Sequence, residues 1–152
     1  MSTCFFIGHR DADTRLLPAL QAEVERHITQ YGVTDFVVGG YGRFDVIAAA
    51  AVIAAKPSHP DVTLFLLLPY HPGERPMKVP PGFDGTFYPS GMERVPRRLA
   101  ILRANCFMLD TADYLIAHVW HAASNARNLL EYAQVRQRQG RLHITELPCP
   151  HL

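Results

Sequence analysis

Hydrophobic positions along the chain follow two spacings that take turns. Short apolar runs rich in aromatic and β-branched residues, Thr3 to Ile7, Thr34 to Val38, Asp61 to Leu68 and Asp113 to Trp120, read as strands, with a brief last one over Leu142 to Ile144. Between them, apolar residues recur at helical intervals. Leu16, Leu17, Leu20, Val24 and Ile28 mark a helix that Asp11 or Asp13 can cap and Gly32 stops. Asp45 to Lys56 is an alanine-rich helix ended by Pro57, and Ser124 caps a helix through Leu129, Leu130, Tyr132, Ala133 and Val135 that Gly140 ends. Glu93 to Asn105 reads as another helix, with Val95, Leu99 and Leu102 on one side and Pro96 in its first turn.

Strands apolar enough to be covered on both faces, alternating with helices, predict an α/β fold. The expectation is a single Rossmann-like domain over residues 1–152, an open, mainly parallel five-stranded sheet flanked by helices. Right-handed crossovers make 3-2-1-4-5 the expected strand order, which puts a ligand crevice at the carboxyl ends of the first and fourth strands. Residues 71–91 break the rhythm with proline and glycine and read as a loop insertion: a lid, a binding loop, a subunit contact or a disordered segment. The tail Pro148-Cys149-Pro150 is expected to be irregular.

The chemistry concentrates in the strand-to-helix turns. Val38-Gly39-Gly40-Tyr41-Gly42-Arg43-Phe44-Asp45 passes through three glycines in four positions before its helix begins. Such a turn lets a ligand approach the backbone and leaves amide N–H groups at the positive end of a helix dipole, where phosphate binds readily. It is neither a P-loop, since no Gly-Lys-Ser/Thr follows, nor a full dinucleotide fingerprint, since Asp45 stands in the third glycine's place. A tight turn with no ligand satisfies the same glycines. The expected topology brings this turn together with Gly8-His9-Arg10 after the first strand and with His121 to Asn125 after the fourth.

Each residue there has a functional and a structural use. Arg10 offers paired donors to phosphate, or a salt bridge to Asp11 or Asp45. His9 can bond a phosphate or sugar, or cap the strand end. Asp45 can accept ribose hydroxyls or act as a base, or simply favour the helix dipole. Ser124 and Asn125 can donate to a second phosphate, with Ser124 as a plain N-cap in the other case. Arg94, Arg97 and Arg98 can close over an anion or form a solvated face. His118 and His121 are three apart, on opposite faces of a strand, and no third ligand is suitably spaced, so no metal site is expected.

Composition narrows the classes. The 152 residues carry 15 Lys+Arg against 14 Asp+Glu, a balance that argues against nucleic acid and membrane surfaces as partners. Cys4, Cys106 and Cys149 are too scattered for a disulfide framework, so reduced thiols, a buried Cys106 and a cytoplasmic location are expected. The first strand begins almost at once, without a basic leader, and no apolar run is long enough for a bilayer. Apolar residues in and around the loop, Met77, Phe83 and Phe87, suggest a homo-oligomer surface.

With Cys4-Phe5-Phe6-Ile7-Gly8-His9-Arg10, the glycine turn, Pro69-Tyr70 and Asn105-Cys106-Phe107-Met108-Leu109-Asp110 in view, the chain resembles the SLOG superfamily, in particular its YpsA-like branch. The resemblance covers residues 3–145. It implies a Rossmann-like domain that binds a nucleotide or a nucleotide-derived ligand such as NAD or ADP-ribose, as a sensor or ligand-binding domain. Carried over by position, it assigns binding to Gly8, His9 and Arg10, to Gly39, Gly40, Gly42, Phe44 and Asp45, and to Asn105 and Asp110. The related LOG enzymes are phosphoribohydrolases that cleave nucleoside monophosphates through a glycine-rich turn and a glutamate. Here Ala122-Ala123-Ser124-Asn125 occupies that turn and Glu131 follows it, so Glu131 and Asp45 are the candidates for an N-glycosidic hydrolase. A DNA-processing role like that of the DprA branch would need a basic stripe that the chain lacks.

Overall fold

The computed structural model describes residues 2–148, so the tail expected at Cys149 and Pro150 lies outside the described residues. Ten main elements follow one another: β1 (Ser2–Gly8), α1 (Leu17–Tyr31), β2 (Val33–Val38), α2 (Arg43–Ala55), β3 (Thr63–Leu67), β4 (Gly85–Phe87), α3 (Ala100–Thr111), β5 (Tyr114–His118), α4 (Asn125–Arg138) and β6 (His143–Glu146). The strands form one six-stranded sheet in the order β4-β3-β2-β1-β5-β6, every neighbouring pair parallel. The expected order is kept for the five strands read from the sequence. A sixth is added at the edge.

Alternation along each strand divides the interior. Cys4 and Phe6, Phe36 and Val38, Leu64 and Leu66, and Ile116 face α1 and α2, packing with Leu20, Val24, Ile47 and Val52. Their neighbours Phe5, Ile7, Val37, Leu67, Leu115 and Ala117 face α3 and α4, against Met108, Leu109, Leu130 and Ala133. Both faces are therefore covered, as the continuous apolar runs require. Helix α1 enters through a 3-10 turn whose Asp13 carboxylate accepts the Arg15 amide at 2.8 Å, and it stops at Gly32, whose φ of 69° suits glycine.

Expectations are corrected in two stretches of the chain. The 71–91 insertion is not only a loop. Residues 68–84 form the crossover that a parallel pairing needs, and they deliver β4 beside β3. Asp84 secures it: its carboxylate accepts the Leu64 amide at 2.8 Å and the Lys56 ammonium at 2.7 Å, while its own amide donates to the Leu64 carbonyl at 2.8 Å. Phe83 and Phe87 accordingly pack against the chain's own core, and of the three apolar residues assigned to an oligomer surface only Met77 is exposed.

The second correction concerns the helix expected over Glu93 to Asn105. Pro96 forces Val95 into extended backbone, with ψ of 131°, and is itself extended at ψ of 141°, so the segment breaks into two 3-10 turns and α3 begins only at Ala100. Its buried side is Ala100, Ala104, Met108 and Leu109, and Leu102 is exposed. The Cys106 thiol is half-buried rather than buried. No helix among the described residues is long and apolar enough to cross a membrane.

Candidate functional site

Strand order reverses at β1, which lies between β2 and β5, and the strand ends there meet across a cavity of about 410 Å³. Gly8, His9 and Arg10 line it from the end of β1, Gly39, Tyr41 and Asp45 from the β2–α2 turn, and Ser124, Asn125, Ala126 and Leu129 from α4. Leu67 at the end of β3 and Pro69 beyond it, Ile101, Ala104 and Asn105 on α3, and Phe6 and Ile7 of β1 complete the wall.

The first two turns are built on each other. A Cβ on Gly8 would lie 2.1 Å from Cγ of Phe44, whose ring is buried under the end of β1 and stacks on His118 at 6.2 Å. Gly42 has φ of 137°, and a Cβ there would lie 2.9 Å from Cα of Arg10. The Arg43 amide donates to the Arg10 carbonyl at 3.0 Å and closes the contact. Phe44, Gly40 and Gly42 do not line the cavity; Phe44 and Gly42 shape the turns that do.

Asp45 lies in the first turn of α2 and reaches back, so that the Tyr41 amide donates to its carboxylate at 3.1 Å. Burial pushes the Asp45 carboxyl up to about 6, against the lowering effect of that bond. A donor of the glycine turn thus faces the chain's own carboxylate. Arg10 is exposed at the cavity wall, and its side chain makes no hydrogen bond or ion pair with another described residue. Neither salt bridge considered for it, to Asp11 or Asp45, is formed.

His9 is buried, and its Nε2 accepts the amides of Trp120 at 3.0 Å and His121 at 3.2 Å, so the ring carries its proton on Nδ1. Burial holds its pKa below the usual histidine value, helped by the neighbouring His121. His9 therefore fastens the β5–α4 loop to the end of β1 as well as lining the cavity. Ser124 is the N-cap of α4, its hydroxyl accepting the Arg127 amide at 3.0 Å. The amides of Asn125 and Ala126, in the first turn at the cavity wall, have no carbonyl one turn back to bond.

Other nominated residues lie elsewhere. Glu131 is exposed about 9 Å further along the α4 axis than Asn125 and does not line the cavity. Asp110 accepts the Tyr132 hydroxyl and lies near Arg136 on the outer side of α3. Arg97 pairs with Glu74, and the Arg75 and Arg97 guanidiniums lie over the Tyr70 ring at 4.3 and 5.5 Å. The residues sequence reasoning missed are Phe6, Ile7, Tyr41, Leu67, Pro69, Ile101, Ala104, Ala126 and Leu129 as wall. Ile101, Ala104 and Asn105 stand at i, i+3 and i+4 on one helical face, a spacing already legible in the helix expected over Glu93 to Asn105.

The combination is a concave site with a free guanidinium, helix-end amides, one carboxyl that titrates near neutrality and apolar walls. Set against models of known protein families and against the curated proteins, the chain matches none.

Proposed function

We propose that the chain binds a nucleotide or nucleotide-derived ligand at the carboxyl edge of its sheet, as a ligand-binding or sensor domain of SLOG type. The observation that carries this is the convergence of three β-to-α junctions on one cavity at the point where strand order reverses. Arg10 and the first-turn amides of α4 suit a phosphate. Asp45, which already fills one donor of the glycine turn, suits ribose hydroxyls, and Tyr41 and Ile101 offer apolar surface to a base. The test is thermal denaturation with a nucleotide panel that includes AMP, NAD and ADP-ribose. At a ligand concentration 100 times Kd, binding adds about 2.7 kcal/mol of stability. Arg10→Ala should remove most of the resulting shift without lowering the ligand-free Tm, because its guanidinium has no partner among the described residues. A panel that leaves Tm unmoved well above micromolar concentration would defeat the proposal.

A second reading, hydrolysis of a nucleotide N-glycosidic bond, is favoured by one observation: a carboxyl inside the cavity is held up to about 6, where it can serve as a general acid or base near neutral pH. That favours Asp45 over Glu131. Release of free base from AMP, abolished by Asp45→Asn and retained by Glu131→Gln, would establish it.

A further inference from the structure

The loop between β5 and α4 is held from two sides by side chains of opposite character. Arg127, from α4, donates to its carbonyls, through Nη2 to Val119 at 3.2 Å and through Nε to His121 at 3.3 Å. His9, from the end of β1, accepts its amides at Trp120 and His121. The first grip is permanent, because a guanidinium does not lose its proton at ordinary pH. The second exists only while Nε2 of His9 keeps its lone pair. A proton there converts the acceptor into a donor and sets it against two N–H groups.

We propose that His9 is a proton-operated latch on the wall of the cavity: with its ring neutral it holds the loop that leads into Ser124, Asn125 and Ala126, and with its ring protonated it lets that loop go. The groups around the ring set the poise. His118 at the end of β5 and His121 in the loop stand on one side, Asp11 in the β1 turn favours the cation, and Arg127 opposes it. His121 Nε2 lies 3.8 Å from an Asp11 carboxylate oxygen, so the β1 turn, the loop and the His9 ring meet in one cluster. Rings surround His9 closely, Trp120 edge-on at 4.1 Å and His121 at 4.5 Å, so any movement of the loop changes the environment of the indole. That acid release of the loop would weaken a ligand in the cavity rests on the binding proposal above; the latch itself does not.

Trp120 is the single tryptophan of the chain and reports the latch without any ligand. Its emission, followed from pH 8 to pH 5 with circular dichroism alongside to confirm that the fold persists, should show one transition with a midpoint below 6.5. His9→Gln, whose amide oxygen can still accept the two N–H groups and cannot titrate, should flatten it. Asp45→Asn should leave it in place, and His118→Gln, which removes a neighbour that opposes the cation, should keep the transition and raise its midpoint. A transition that survives His9→Gln, or that disappears in His118→Gln, overturns the latch. Should His9→Gln fail to fold, 15N spectra of the unaltered protein decide. Nδ1 protonation of His9 at neutral pH, with the Trp120 and His121 amides shifting at the midpoint of His9 itself, supports the latch; amides that ignore its titration overturn it. An empty nucleotide screen beside an intact Trp120 transition would remove the ligand and leave the latch.

Discussion

At the scale of single residues, the site is constrained by space more than by charge. Gly8 is there because the Phe44 ring occupies the position of a Cβ, and Gly42 because both its φ and the Arg10 backbone exclude one. Gly8→Ala should therefore destabilise by about 1–3 kcal/mol, the range for forcing an extra carbon into a packed contact. Gly32→Ala provides the comparison, since φ is 69° but none of the described residues comes within 4 Å of the added carbon beyond its chain neighbours, and about 1 kcal/mol is expected from backbone conformation alone. Urea midpoints at constant slope measure both, and shortening Phe44 to Leu should recover part of the first loss and none of the second. For the same reason Gly42→Val disturbs the fold as well as the ligand site, so Arg10 and Asp45 are the informative positions for binding. The glycines were legible in the sequence as a turn. That Phe44 is the residue demanding Gly8 was not, because the two are 36 positions apart and meet only when β1 and α2 pack.

At the scale of elements, what could be read from the chain was whatever its own local pattern determines. The four longer strands, the Asp13 and Ser124 caps and the Gly32 stop all follow from residues within a turn or two of each other. Ser124→Ala should cost about 1 kcal/mol, the usual worth of an N-cap, read as a lowered Tm. Strand β4 was hidden because three residues among prolines and glycines carry no period; its partner is β3, and its anchor is an aspartate 28 positions beyond Lys56. Asp84→Ala should loosen that edge alone. The Leu68 amide, which donates to the Phe87 carbonyl at 2.8 Å, should exchange with solvent faster, while amides of β1 and β2 keep their protection. The start of α3 is hidden because a proline suits a helix's first turn and also restricts the residue before it, and at Pro96 the restriction on Val95 prevails and ends the preceding segment.

At the scale of the whole molecule, three histidines set the acid limb of stability. His9, His27 and His118 are all buried, and desolvation lowers the pKa of each below the ordinary value of 6.5. His27 has in addition a buried Nε2 without a hydrogen-bond partner among the described residues, its Nδ1 donating to the Glu23 carbonyl at 2.7 Å. The unfolded chain takes up protons at these positions before the folded chain does, so stability is full above pH 6.5 and declines as pH falls through the lowered values. Asp45 works the other way, because its raised carboxyl binds a proton at about 6 in the fold and only near 3.8 in the unfolded chain, so it gives back stability between those values. With three groups against one, Tm should fall from pH 7.5 to pH 5, and Asp45→Asn should steepen the fall by removing the opposing contribution. The parallel sheet has one more consequence, for engineering. Since every strand points the same way, each helix-to-strand turn, at Gly32, at residues 59–62, at Asp113 and at residues 139–142, lies on the edge opposite the cavity. A reporter peptide spliced in at Gly140 would hang from the far side of the protein, giving a handle for immobilisation that leaves the mouth of the cavity open to the medium.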